Sequence, residues 1–134
     1  MVLKIKKDGL KEIIKHCEEE LPLEACGILI GIKKNSEKIV ERIYKTRNIL
    51  KSSNRYQIDP QQQLKIFIEA DERGFDILGF YHSHPSFNAQ ISTIDIESAN
   101  YPTCTYLIYS NLDREVKCFL WNGKKFEHEN VDVI

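Results

Sequence analysis

Gly79-Phe80-Tyr81-His82-Ser83-His84-Pro85 is the stretch on which the reading of this chain turns. Phe75 to His82 has the apolar character of a central strand. Residues two apart on a strand point to one face, so His82 and His84 present their imidazoles side by side. Pro85 stops the strand directly after them and turns the backbone away. Two imidazoles on one face at a strand end make two cis ligands for a first-row metal such as zinc. The same spacing also suits two exposed or hydrogen-bonded histidines, and taken alone it leaves both readings open.

Working outward, a loop from Ser83 to Ile91 leads to Ser92-Thr93-Ile94-Asp95 and a short helix from about Thr93 to Ala99. Ser-x-x-Asp is a helix N-cap pattern with an acid in the first turn. That single turn can also fix Asp95 as a third ligand, with Ser92 facing the same cavity. Upstream, Glu24 lies between Pro22, which ends a helix, and the apolar run Gly27 to Ile32. It is either a solvated loop residue or, inside a metal cavity, the group that takes a proton from a metal-bound water and passes it to a leaving amine.

The remaining pattern mixes strands and helices. Asp8 is placed to cap a helix from about Gly9 to Glu20, whose Leu10, Ile13, Ile14 and Cys17 form one apolar stripe. Gly27 to Ile32 and Lys38 to Thr46 form a hairpin across the polar turn Lys33 to Ser36. Asn48 to Tyr56 is polar and irregular, a candidate mobile surface loop. Asp59-Pro60 starts a second helix, with Leu64, Phe67 and Ile68 expected to face inward and Gly74 to end it. Strands follow at Thr105 to Tyr109 and Val116 to Trp121, and the Asn122-Gly123 turn joins the second to a last strand near Lys125 to Glu129. The expected fold is α/β (α+β), one mixed β-sheet flanked by helices in a three-layer-like arrangement, with residues 1–134 as a single domain.

Composition narrows the function classes. With 19 basic and 20 acidic residues the formal net charge is −1, so there is no electrostatic reason to expect nucleic acid. No stretch approaches the roughly 20 apolar residues of a membrane span. Met1 to Leu10 alternates lysine with apolar residues and has no small-residue cleavage site, the pattern of a mature cytoplasmic protein. Four cysteines, Cys17, Cys26, Cys104 and Cys118, contain no CxxC pair and are expected as small buried thiols, with one or two disulfides left open by the sequence. His16 and His128 have no partner pattern and are expected at the surface.

Joined in order, Glu24, His82-Ser83-His84-Pro85 and Ser92-Thr93-Ile94-Asp95 resemble the JAMM (MPN+) zinc metalloprotease signature. Leu21 to Gly31 looks like the family's glutamate-bearing start of its first core strand, and Tyr56-Gln57-Ile58-Asp59-Pro60 like its lead into the second helix. The resemblance runs from about residue 5 to about residue 122. It implies the MPN/JAMM fold, which is of the cytidine-deaminase-like kind. It also implies zinc held by His82, His84 and Asp95 with water in the fourth position, Glu24 as general base and then acid, and Ser92 as oxyanion donor. The implied reaction is hydrolysis of an amide or isopeptide bond at the C-terminus of a ubiquitin-like or sulfur-carrier protein, whose tail would add as a strand along an exposed sheet edge.

Two other classes have distinct signatures. A non-catalytic module on the same fold would be expected to have lost ligands, and all five positions are intact here. A nucleobase deaminase carries His-x-Glu and Pro-Cys-x-x-Cys, and other zinc proteases carry HExxH; this chain has none of these. Its oligomeric state, monomer or homodimer, is open at this stage.

Overall fold

The computed structural model describes residues 1–134. Its elements are β1 (Val2–Ile5), α1 (Lys7–Glu19), β2 (Cys26–Lys34), β3 (Glu37–Thr46), α2 (Pro60–Glu72), β4 (Asp76–His84), α3 (Thr93–Ser98), β5 (Thr105–Ser110), β6 (Val116–Trp121) and β7 (Phe126–Val133). The strands form one mixed sheet in the order β1-β3-β2-β4-β5-β6-β7. The expected mixed α/β arrangement is present, with one addition. β1, a strand not assigned from the sequence, runs parallel to both β3 and β7 and closes the sheet into a barrel.

Period-two alternation sets which side chains go where. Leu29 of β2 and Tyr81 of β4 pack with Ile13 and Cys17 of α1. Their even-numbered neighbours Ile28, Ile30 and Phe80 pack with Ile66 and Ala70 of α2. His82 and His84 share strand parity with Phe80, and Ser83 with Tyr81. Gly27 makes room for this packing, because a Cβ there would lie 2.0 Å from the Tyr81 ring.

Three local expectations need correcting. Lys6, not Asp8, is the N-cap of α1, and its side chain makes no capping bond. Asp8 sits in the first turn, where its charge meets the positive end of the helix dipole. In α2, Leu64 and Ile68 are exposed, while Ile66, Ala70 and part of Phe67 turn inward. His16 is buried, not superficial, because the face of α1 that carries Ile13 and Cys17 also carries it. Its Nδ1 lies 2.6 Å from the Tyr81 hydroxyl. Other sequence signals hold: Asp59 caps α2 by accepting from the Gln61 N–H, and Gly74 follows that helix with φ of +73°. All four cysteines are free and buried.

One interior feature has no sequence signal. The Lys38 side chain is fully buried, donating to the Thr103 carbonyl at 2.9 Å and the Thr105 hydroxyl at 2.7 Å, with Glu129 Oε2 at 3.4 Å. The Thr105 hydroxyl also bonds Glu129. This cluster links β3, β5 and β7. No helix is long and apolar enough to cross a membrane.

Candidate active site

The β2–β4 ladder sets the site. Cys26 pairs with His82 as the last antiparallel pair, and one step further the Ser83 N–H donates to the Ala25 carbonyl at 3.1 Å. The reciprocal bond comes from the side chain, since the Ala25 N–H donates to Ser83 Oγ at 2.8 Å. Glu24 therefore stands immediately beside the strand end that carries the two histidines. On its other side, β4 pairs in parallel with β5 through His84 and Ser110. β4 is thus hydrogen-bonded on both flanks.

His82, His84 and Asp95 are brought together in the interior, with ligand atoms all within 4.8 Å of one another. The two Nε2 atoms are 3.3 Å apart. Asp95 Oδ1 lies 2.9 Å from His82 Nε2, and Oδ2 lies 3.1 Å from His84 Nε2. Tetrahedral coordination with bonds of about 2.0 Å places ligand atoms about 3.3 Å apart, so the donor set has the size and chemistry zinc requires. The far nitrogen of His84 is held by the Asn88 carbonyl at 2.8 Å, the usual support for a metal-binding imidazole. His82 Nδ1 is buried and has no hydrogen-bond partner. Instead the Tyr56 ring stacks on His82, with centroids 4.6 Å apart and planes inclined by 23°.

Ser92 and Asp95 form a reciprocal capping box at the start of α3. The Asp95 N–H donates to Ser92 Oγ at 3.0 Å, and the Ser92 N–H donates to Asp95 Oδ2 at 2.9 Å. The capping and ligand readings of this motif therefore coincide in one turn. Ser92 accepts through its oxygen, which leaves its hydroxyl proton free to donate.

Glu24 is buried and its Oε1 has no partner. Burial pushes its carboxyl from an ordinary 4.5 to about 7, against the pull of His82 and His84, with Asp95 adding to the rise. A carboxyl poised there can both take and give a proton at neutral pH. Burial opposes ionisation of Asp95, but His82 and His84 hold it well below the usual carboxylate range. Burial likewise opposes protonation of His84, but Asp95 and the Asn88 carbonyl raise its pKa. Cys26 stands across the ladder from His82, its sulfur 3.4 Å from the Thr46 hydroxyl.

Tyr56 and Asn48 escaped the sequence reading, since both lie in the segment read as a mobile loop. That segment is tied down at both ends of the site. A groove of about 710 Å³, lined by Leu50, Phe67, Phe80, Tyr101 and Tyr106, meets the site at Tyr56.

A buried His-His-carboxylate trio beside an unpartnered carboxyl on a mixed α/β sheet is the equipment of a metal-dependent hydrolase. Residues 6–122 match the model for prokaryotic homologs of the JAB domain. The chain is 30% identical to the desampylase of Haloferax volcanii, covering 98% of this chain and 96% of that protein. It is 30% identical over 112 residues to the CysO-cysteine peptidase of Mycobacterium tuberculosis, covering 84% of this chain and 75% of that one. The solution structure of a Desulfitobacterium hafniense protein superposes with a TM-score of 0.88 at 31% identity, covering all of this chain and 93% of the other. The chain belongs to the prokaryotic JAB-domain family and is a JAMM-type peptidase.

Proposed function

We propose that this protein is a zinc isopeptidase or peptidase that hydrolyses the amide bond at the C-terminus of a ubiquitin-like or sulfur-carrier protein. The observation that carries the reading is the partnerless, buried Glu24 carboxyl standing beside the His82–His84–Asp95 trio. Zinc held by these three residues would supply Lewis acidity and an activated water at cellular pH. Glu24 takes the proton of the attacking water and delivers it to the departing nitrogen. Ser92 donates its hydroxyl proton to the developing oxyanion, a contribution of about 3 kcal/mol in comparable sites. The groove at Tyr56 gives an extended substrate tail apolar side chains to lie against.

The substrate class is supported by the names of the relatives, one a desampylase and one a CysO-cysteine peptidase. The four free, buried thiols support a reducing, cytoplasmic setting. The test is to purify the protein with zinc and incubate it with two substrates, a lysine-linked ubiquitin-like conjugate and a sulfur carrier bearing a C-terminal cysteine. Cleavage of either at the carrier's C-terminus, abolished by Glu24→Gln with zinc retained, is the expected result. Failure on both would overturn the substrate class. Unchanged turnover in Glu24→Gln would overturn the assignment of the base.

A further inference from the structure

The Asn48 side chain uses its whole hydrogen-bonding capacity. Its amide nitrogen donates to the Glu24 carbonyl at 3.1 Å and to the Arg55 carbonyl at 2.9 Å. Its oxygen accepts from the Leu50 N–H at 3.1 Å and the Gln57 N–H at 3.2 Å. One carboxamide thus fastens the backbone that carries Glu24 to both strands of the 49–57 loop. The Glu24 N–H reinforces the link by donating to the Ser52 carbonyl at 2.9 Å. The loop's Tyr56 in turn stacks on His82, the imidazole whose far nitrogen has no partner.

We propose that Asn48 is a positioning residue that couples the two halves of the site, holding the Glu24 backbone directly and the His82 ring through Tyr56. This rests on the reading of Glu24 as base and His82 as ligand. A histidine bound to metal through Nε2 carries its proton on Nδ1, and His84 has a carbonyl to receive that proton. His82 has none, and apart from the contacts of its Nε2 with Asp95 and His84 its ring is steadied by the stacked Tyr56. That contact is only as rigid as the loop, and Asn48 closes the loop. The backbone also closes the loop, the Ile49 N–H donating to the Gln57 carbonyl at 3.0 Å, but the Asn48 amide alone joins the Arg55 carbonyl to that of Glu24.

Asn48→Asp tests the coupling with little change of shape. It keeps the acceptor for Leu50 and Gln57 but sets a carboxylate against the carbonyls of Glu24 and Arg55. In zinc-free protein the ring current of Tyr56 should displace the His82 imidazole proton resonances, and Asn48→Asp should abolish that displacement. Zinc release to a chelator should become about tenfold faster or more, the usual loss when support for a metal ligand is removed. Tyr56→Phe keeps the stacking ring and should match the parent in both measurements. Unchanged resonances and release in Asn48→Asp would overturn the proposal. Should that variant fail to fold, Tyr56→Leu carries the test, and parent-like zinc release there would overturn it equally. The resonances need neither zinc nor substrate, so an inactive parent would refute the proposed function without deciding this point.

Discussion

Replacing Glu24 by glutamine in the zinc-free protein should remove one identifiable slope from the pH dependence of folding. Burial holds the Glu24 carboxyl at about 7 in the folded chain, against 4.5 ordinarily. The folded state therefore keeps a proton that the unfolded chain releases, and stability must fall as pH rises between those two values. A rise from 4.5 to about 7 is roughly 2.5 pH units, or about 3 kcal/mol in all at about 1.4 kcal/mol per unit. Between about pH 5 and about pH 8 some 2.5 kcal/mol of this should be expressed. Glutamine has nearly the same shape and never ionises, so the variant escapes the cost. His84, Asp95 and the tyrosines titrate in both proteins and largely cancel in the difference. Urea unfolding in the presence of chelator, compared across that range, should show the variant gaining on the parent by about 2.5 kcal/mol as pH rises. A difference flat to within about 0.5 kcal/mol would show that the folded protein does not bury this charge. Added zinc should shrink the gap, because the cation favours the ionised carboxylate.

Asp95→Asn keeps an acceptor for the capping box but removes a charged donor, and should lower the zinc content of purified protein, read by elemental analysis, with little loss of thermal stability. Asp95→Ala should lower both, the lost cap costing about 1 kcal/mol. Ser92→Ala should cost a similar amount in denaturant unfolding and reduce kcat about a hundredfold, because one hydroxyl serves both cap and oxyanion. Glu129→Gln leaves the buried Lys38 ammonium without its counter-charge and should destabilise the fold by about 3 kcal/mol, whereas Lys38→Met with Glu129→Leu should recover most of the loss. With zinc bound, kcat/KM should fall on the acid side as Glu24 becomes protonated, with that limb below the value of about 7 to which burial pushes the carboxyl.

Short-range chemistry was legible in the sequence where it depended on neighbours along the chain. The Asp59-Pro60 start of α2, the Gly74 stop and the Ser92–Asp95 turn all came from such rules. His82 and His84 were legible as a pair because strand parity alone puts them on one face. The inward face of α2 was misjudged because two apolar stripes compete on that helix, and only its packing against β2 and β4 chooses Ile66 and Ala70 over Leu64 and Ile68. Lys38 gave no hint of burial, since a lysine on a strand is normally a solvated residue. Its partners Thr105 and Glu129 meet it only when the sheet closes. Asn48 and Tyr56 were hidden for a similar reason. A polar segment looks loose until the carbonyls and ring that it binds, far away along the chain, are in place.

Closure by β1 also bears on how the chain reaches this state. Val2–Ile5 pairs with Asn130–Val133, so one ladder joins segments far apart along the chain. That ladder cannot form until Val133 has been made. Contacts of such long sequence separation slow folding. Until they form, β3 and β7 each have a row of unpaired amides and carbonyls of the kind that recruits other chains. Weakening β1, for example with Leu3→Asp, should therefore show first as slow refolding and aggregation during synthesis, in a protein whose His82, His84 and Asp95 are all unaltered.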